Sequence, residues 1–350
     1  ELSLNSLPKI PTSSSVVKAV DFDQDGDLDL FIGGGLKPRE YPLPGTSYIL
    51  ENQGGTFKDI TSGIANGLQD IGMVRAAEWA DLNADGQVDL VLTGEFMPIT
   101  VFIQENGKFS NQTEAMGLSN TTGWWSSLLI TDINNDGKPD IIGGNLGLNT
   151  KYQVSESEPL SIYAKDYDGN GMIDAIMSCY IDGEKHMLHS KSTLEAQVVA
   201  FKKRYLKHEA FAQANFDEIL TEEMRTEAYT RHAKTFIHTA YLNTANGFES
   251  IALPKATQIA PLKKIIRLGD RYFLSGNDYS TEVTVGQYDA SRGFEMLYNA
   301  ANKRFELINN SNYKALGDVK DALVLKVGKE QIIVHGVNNS ALYVRKIEEE

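Results

Sequence analysis

The sequence predicts an all-β protein, a β-propeller of six or seven four-stranded antiparallel blades, and three features carry that prediction. An acidic loop of the form Asp-x-Asp/Asn-x-Asp/Asn-Gly-x-x-Asp occurs four times. Each copy lies between two short runs of apolar, largely β-branched residues. A third strand, an Asn- or Gly-rich turn and a fourth strand then follow more than once. Regular repetition on this scale marks stacked supersecondary units, and four antiparallel strands per unit build a propeller blade.

The first loop places Asp21, Asp23, Asp25, Asp27 and Asp29 at its odd positions. The second has Asp81, Asn83, Asp85, Gln87 and Asp89, and the third Asp132, Asn134, Asp136, Lys138 and Asp140. The fourth has Asp166, Asp168, Asn170, Met172 and Asp174. Runs such as Val16-Val17-Lys18-Ala19-Val20 before a loop and Leu90-Val91-Leu92 after one read as strands. Residues 48–57, 101–109 and 240–248 share the third-strand, turn, fourth-strand scheme, with Asn-Gly or Gly-Gly supplying the positive φ of a tight turn. The last two loops start only 34 residues apart, too close for a full blade, so the third blade is expected to be irregular.

Residues 264–276 and 322–334 keep the strand–turn–strand rhythm without the acids, which predicts metal-free blades. Residues 1–10 are expected to supply the outer strand closing the last blade of a single 1–350 propeller domain, which would remove a free sheet edge. Residues 192–235 lack strand signals and read as a helical insertion within one blade. Ser192-Thr193-Leu194-Glu195 fits a capping box, and Leu194, Val198, Phe201 and Tyr205 follow at helical spacing. The face away from this insertion is then the expected ligand face.

Calcium takes six to eight oxygen ligands in flexible geometry. Side-chain oxygens at positions one, three, five and nine, with the backbone carbonyl of position seven (Asp27, Gln87, Lys138 or Met172), supply such a set. Glycine at position six permits the sharp turn. Zinc would call for His or Cys, which the loops lack. An EF-hand needs Glu at position twelve and flanking helices, whereas position twelve here is Ile32, Leu92, Gly143 or Met177 between strands. About four structural Ca²⁺ ions are therefore expected.

The chain's net charge is -14, which disfavours a nucleic-acid partner. No apolar run reaches the ~18 residues of a membrane span. The single cysteine, Cys179, allows no internal disulfide and reads as a packing residue on a half-buried strand. The chain opens at Glu1 without a signal-type segment, as a processed or trimmed chain would.

The loops and their strands resemble FG-GAP/VCBS repeats, the calcium-loop blades of integrin α-subunit propellers and of bacterial surface proteins. Two further stretches, residues 144–152 and 286–291, look like parts of the VCBS-repeat region of bacterial proteins that often carry an ASPIC/UnbV domain, whose own pattern is not visible here. The resemblance implies structural calcium and an exported location: extracellular, outer-membrane-associated or periplasmic. The expected function is noncatalytic recognition of a protein or glycan at the bacterial cell surface, with Trp79, Trp124-Trp125, Tyr279 and Tyr288 as candidate stacking residues. The alternative is a calcium-dependent polysaccharide lyase or hydrolase using His186, His189, His232 or His238. No nucleophile elbow, phosphate loop or zinc motif supports the alternative.

Overall fold

Strand and turn signals along the chain fold as antiparallel sheets in the computed structural model, which describes residues 6–281 and 285–347. The first sheet contains β1 (Ser14–Val20), β2 (Asp29–Gly34), β3 (Tyr48–Asn52) and β4 (Phe57–Asp59) in spatial order. The second contains β5 (Met73–Ala80), β6 (Asp89–Met97), β7 (Thr100–Glu105) and β8 (Lys108–Asn111). A two-residue strand, β9 (Gly123–Trp124), pairs with the end of β6. Alternation fixes which side of each sheet is buried: Phe31, Ile49, Val74, Leu90, Leu92 and Phe102 interleave in one core between these two sheets.

The third sheet explains the short loop spacing. It begins with β10 (Ser127–Thr131) and β11 (Asp140–Gly144), and then the chain leaves it. A separate sheet intervenes, built from β12 (Leu160–Lys165), β13 (Asp174–Ile181), β14 (Glu184–Met187) and, after several short helices, β15 (Tyr229–Ala233). Only then do β16 (Thr239–Thr244) and β17 (Gly247–Ala252) complete the third sheet, β16 pairing directly with β11. The fourth acidic loop thus belongs to an inserted sheet and not to a successive blade. In that sheet β15 covers the free edge of β12, giving the order β14-β13-β12-β15.

A fourth sheet follows with β18 (Leu262–Leu268), β19 (Arg271–Gly276), β20 (Phe294–Asn299) and β21 (Arg304–Leu307). The fifth has β22 (Val319–Val327), β23 (Glu330–Val337) and β24 (Tyr343–Ile347). Neither carries an acidic loop; Gly269 and Gly328, both at positive φ, make their first turns. The leading strands β1, β5, β10, β18 and β22 pack side by side in that order, which is the blade succession of a propeller. The expectation for residues 1–10 meets a different arrangement. Residues 1–5 lie outside the described residues, residues 6–10 form no strand, and the Ser6 carbonyl accepts from Phe57 N of the first sheet. The last sheet has three strands among the described residues, and Leu323, Leu325, Val327 and Val344 are exposed there.

The inserted sheet is buried on both sides. Ile162, Met177 and Cys179 face Met73, Phe96, Trp124 and Tyr288 of the propeller. The alternate positions Tyr163 and Ile176 face Leu194, Val198, Phe201, Phe216, Ile219 and Leu220 of the helical segment. The helical periodicity read from the sequence is therefore real, but the first cap differs. Ser190, not Ser192, caps the helix Lys191–Gln197 by accepting from Thr193 N, and the capping box is formed by Asn215 and Glu218 on the helix Phe216–Ile219. Ser190 can do so because it retains extended backbone just before the first turn.

Asn145 anchors the base of the insertion. Its Oδ1 accepts from Trp124 N at 3.0 Å and Leu146 N at 2.9 Å, and its Nδ2 donates to the Thr235 carbonyl at 3.0 Å. Its backbone N–H donates to Nδ1 of the fully buried His238 at 3.0 Å. The proton of His238 is then on Nε2, 3.1 Å from the Ala260 carbonyl. The preceding Gly144 admits no side chain, since a Cβ would lie 2.4 Å from the Leu262 carbonyl oxygen.

Asn145→Ala leaves several buried groups unpaired and is expected to cost about 2–3 kcal/mol in denaturant unfolding. Burial holds the His238 imidazole down to about 4 from its ordinary 6.5. A depressed histidine stabilises the fold fully above 6.5 and progressively less as pH falls towards 4. Acidification across that window should therefore lower the unfolding midpoint, and His238→Asn should flatten this dependence relative to the unmodified protein.

Candidate functional site

The acidic loops join first to second strands, and each adopts the same local geometry. The carboxylate of position one accepts from the Gly N–H of position six: Asp21 at 3.1 Å, Asp81 at 2.8 Å, Asp132 at 2.9 Å and Asp166 at 2.8 Å. The side chain of position five accepts from the backbone N–H of position seven in all four loops. The five-to-seven bonds are Asx turns, and together with the longer one-to-six bonds they wind the chain around one point. Position six is at positive φ throughout, as its glycine predicts. Position four is too, although Gln24, Ala84 and Asn135 occupy it in three loops, a strain the sequence pattern does not announce.

Carboxylate oxygens of Asp21, Asp23 and Asp29 lie within 4.8 Å of one another, and so do those of Asp166, Asp168 and Asp174. In the second and third loops Asn83 and Asn134 stand at position three, and each Oδ1 accepts from the backbone N–H of position five. The donor set is all-oxygen, and buried Oδ1 atoms of Asp21 and Asp27 have no hydrogen-bond partner among the described residues. Three carboxylates gathered this closely with oxygens left over suit a hard divalent cation. Asp25, Asp85, Asp136 and Asn170 remain exposed at the rim, as do Met172 and Lys138.

Position nine has a second task. Asp29 accepts from Phe22 N at 3.3 Å and from Asn52 N of β3 at 2.8 Å. Asp89 accepts likewise from Leu82 N at 2.8 Å and Gln104 N at 2.9 Å, and Asp140 from Ile133 N and Asn243 N, both at 2.7 Å. All three carboxylates are buried. Burial raises Asp29 and Asp89 to about 6 against the lowering effect of these hydrogen bonds, and raises Asp140 as well. Asp174 accepts only the equivalent bond from Tyr167 N, at 3.1 Å.

Two third-strand side chains hold the acidic loop of the preceding sheet. Gln104 Nε2 donates to the Phe22 carbonyl of the preceding loop at 3.0 Å, and Asn243 Nδ2 to the Leu82 carbonyl at 2.8 Å. Their common place in the third strand, shared with Asn52, was the available sequence signal.

The connections between second and third strands converge on the opposite end of the sheets. They include residues 35–47, the insertion, residues 277–281 and residues 285–293, and they border two adjoining open cavities of about 490 and 440 Å³. Both are lined by Tyr41, Trp124, Thr281 and Tyr288. The cleft thus lies beneath the insertion and not on the face away from it. Here the two family-like stretches meet: Thr150 Oγ1 and Tyr288 OH are 2.9 Å apart, and Asp278 and Tyr288 form a backbone bridge. Arg75 pairs with Glu95 at 2.6 Å and Lys263 with Asp278 at 3.0 Å on its wall. Of the candidate stacking residues, Trp124 and Trp125 both line the cleft, Trp125 with its side chain fully buried, Trp79 packs in the first core and Tyr279 is exposed. The histidines do not form a metal cluster: His189 Nε2 accepts from Met177 N, His232 Nδ1 faces Ser161 Oγ, and His238 holds Asn145.

Blade succession and repeated acidic hairpins define a repeat protein of the propeller class. Residues 21–92 and 81–143 match the family model of the FG-GAP-like repeat, and over this region the chain is similar to FG-GAP-like repeats. No curated protein matches it. Among solved structures it is similar to a chain of the RAG complex with one melted and one unmelted RSS, at 12% identity and a TM-score of 0.33, covering 99% of this chain and 84% of that one. It is also similar to a chain in the structure of BBS1N with ARL6DN, at 9% identity and a TM-score of 0.27, covering 97% and 94%.

The shared loop geometry sets two expectations. Gly86→Ala has open space at its Cβ position but keeps φ +85°, so it should destabilise by about 1–2 kcal/mol, whereas Ala84→Gly should be neutral or stabilising by up to about 1 kcal/mol. Removing the link between sheets with Gln104→Ala should cost about 1–2 kcal/mol in the same denaturation assay.

Proposed function

We propose that this chain is a noncatalytic, calcium-stabilised propeller that recognises a protein or glycan at the bacterial cell surface. The observation that supports it best is the four-fold recurrence of one all-oxygen loop geometry, with carboxylates gathered at the first and fourth copies. Calcium suits these loops better than magnesium because it tolerates irregular oxygen cages, whereas magnesium retains water in strict octahedra. The ligands are Asp21, Asp23, Asp25 and Asp29 with the Asp27 carbonyl in the first loop, and their counterparts in the other three. The cation's part is electrostatic: it draws the carboxylates of one hairpin together where they would otherwise repel. An affinity on the order of 10⁻⁴–10⁻³ M fits an exported module in a calcium-rich exterior.

At a tenfold excess of calcium over Kd, each site adds about 1.4 kcal/mol. Thermal melts with and without chelator should separate accordingly, and Asp21→Ala should remove about one ion by metal analysis. Asp29 and Asp89 are raised to about 6 without metal, so protons compete with the cation as pH falls through that value. The calcium-dependent rise in Tm should fade below about pH 6 and be full above it. An unchanged melt on chelation, in protein shown to be folded, would overturn the calcium reading. Recognition is tested separately, by pull-down and glycan-array binding to intact bacterial surface material: saturable binding supports it, and none at any protein or glycan ligand contradicts it.

A further inference from the structure

We infer that the cleft beneath the inserted sheet is a binding site for a neutral saccharide, one or two sugar rings of a longer glycan. The inference rests on the recognition reading above but not on the calcium reading. Size and position come first. Two adjoining cavities of about 490 and 440 Å³ share Tyr41, Trp124, Thr281 and Tyr288 and fall within the roughly 300–1,000 Å³ of small-molecule sites. They sit between a rigid inserted sheet and the propeller end, with the insertion held by Asn145 and by a continuous apolar core.

The charge pattern narrows the ligand. Arg75 gives both Nε and Nη2 to Glu95 Oε1, at 2.9 and 2.6 Å. Lys263 Nζ donates to Asp278 Oδ2 at 3.0 Å, while Asp278 Oδ1 accepts from Ser280 N. Both pairs are part-buried on the cleft wall. An anionic ligand would compete with Glu95 and Asp278 for these cations, and a cationic one with Arg75 and Lys263, each leaving a partly desolvated charge unpaired. A hydroxyl group can use the remaining lone pairs and N–H groups of both pairs without breaking either. Trp124 and Tyr41 offer aromatic surface for sugar C–H groups, with Ser280 and Thr281 beside them, and the second cavity adds Lys151, whose Nζ lies over the Tyr152 ring at 5.1 Å, and His189, whose Nε2 accepts from Met177 N.

The test uses the whole chain in calcium. Cellohexaose, maltohexaose, laminarihexaose and chitohexaose serve as neutral probes and hexagalacturonate as the acidic one, read by calorimetry and tryptophan fluorescence. At least one neutral probe should bind, at least tenfold more tightly than hexagalacturonate. Tyr41→Ala should weaken that binding at least tenfold. Ser280 is exposed at the cleft, so Ser280→Trp should block it with an unchanged Tm even if the first variant folds poorly. Preference for the acidic probe, neutral binding that survives Ser280→Trp, or a protein ligand that alone binds and is indifferent to it overturns the cleft assignment and leaves recognition standing. Absence of binding by every saccharide also overturns it.

Discussion

The buried ninth aspartate of each ring loop is the contact on which the architecture turns. A hairpin bend rich in acids would by itself be a solvated, self-repelling loop. Asp29, Asp89 and Asp140 instead reach inward, close their own loop through the N–H of position two, and fasten it to the third strand through Asn52, Gln104 and Asn243. Burying a carboxylate is unfavourable unless its oxygens are satisfied, and two backbone donors per side chain meet that condition. Because Gln104 and Asn243 also hold the carbonyl of the preceding loop, the hydrogen bonds that close one blade also set its distance from the next.

This arrangement divides labour between the two ends of the sheets. First-to-second strand connections are short; those of the first three ring sheets are acidic and share one conformation, and those at Gly269 and Gly328 are tight glycine turns. Second-to-third connections range from the two residues between β6 and β7 to the one that has expanded into an entire sheet with its own acidic loop and helical cover. Antiparallel connectivity alone separates the two sets, since successive bends of a meander alternate between ends. Fastening at one end thus leaves the loops at the other end free to vary, and the proposed recognition rests on that end.

The repeated units were legible in the sequence because hydrophobic alternation, glycine and the acid spacing are local signals. Strands around all four loops, the tight glycine turns at Gly269 and Gly328, and the buried face of residues 194–205 follow from such patterns. What was not legible is non-local. That β16 and β17 return to β11 after nearly a hundred residues is a pairing choice, and the 34-residue gap between loops signalled only that something was irregular. The double duty of position nine was hidden for the same reason: its partners lie on another strand. The cleft was missed because Tyr41, Arg75, Trp124, Lys263 and Tyr288 come from five distant segments. The stretches 144–152 and 286–291 were noticed only by resemblance, and their physical content is the anchoring by Asn145 and the Thr150–Tyr288 contact.

If the loops are cation-filled pins, the ion should be found where the carboxylates converge. Anomalous diffraction from crystals grown in calcium, collected at a wavelength sensitive to that element, locates it directly. The account predicts one peak enclosed by each of the four loops, in contact with positions one, three and nine. Folded loops with the same hydrogen bonds and no anomalous density at saturating calcium would contradict it.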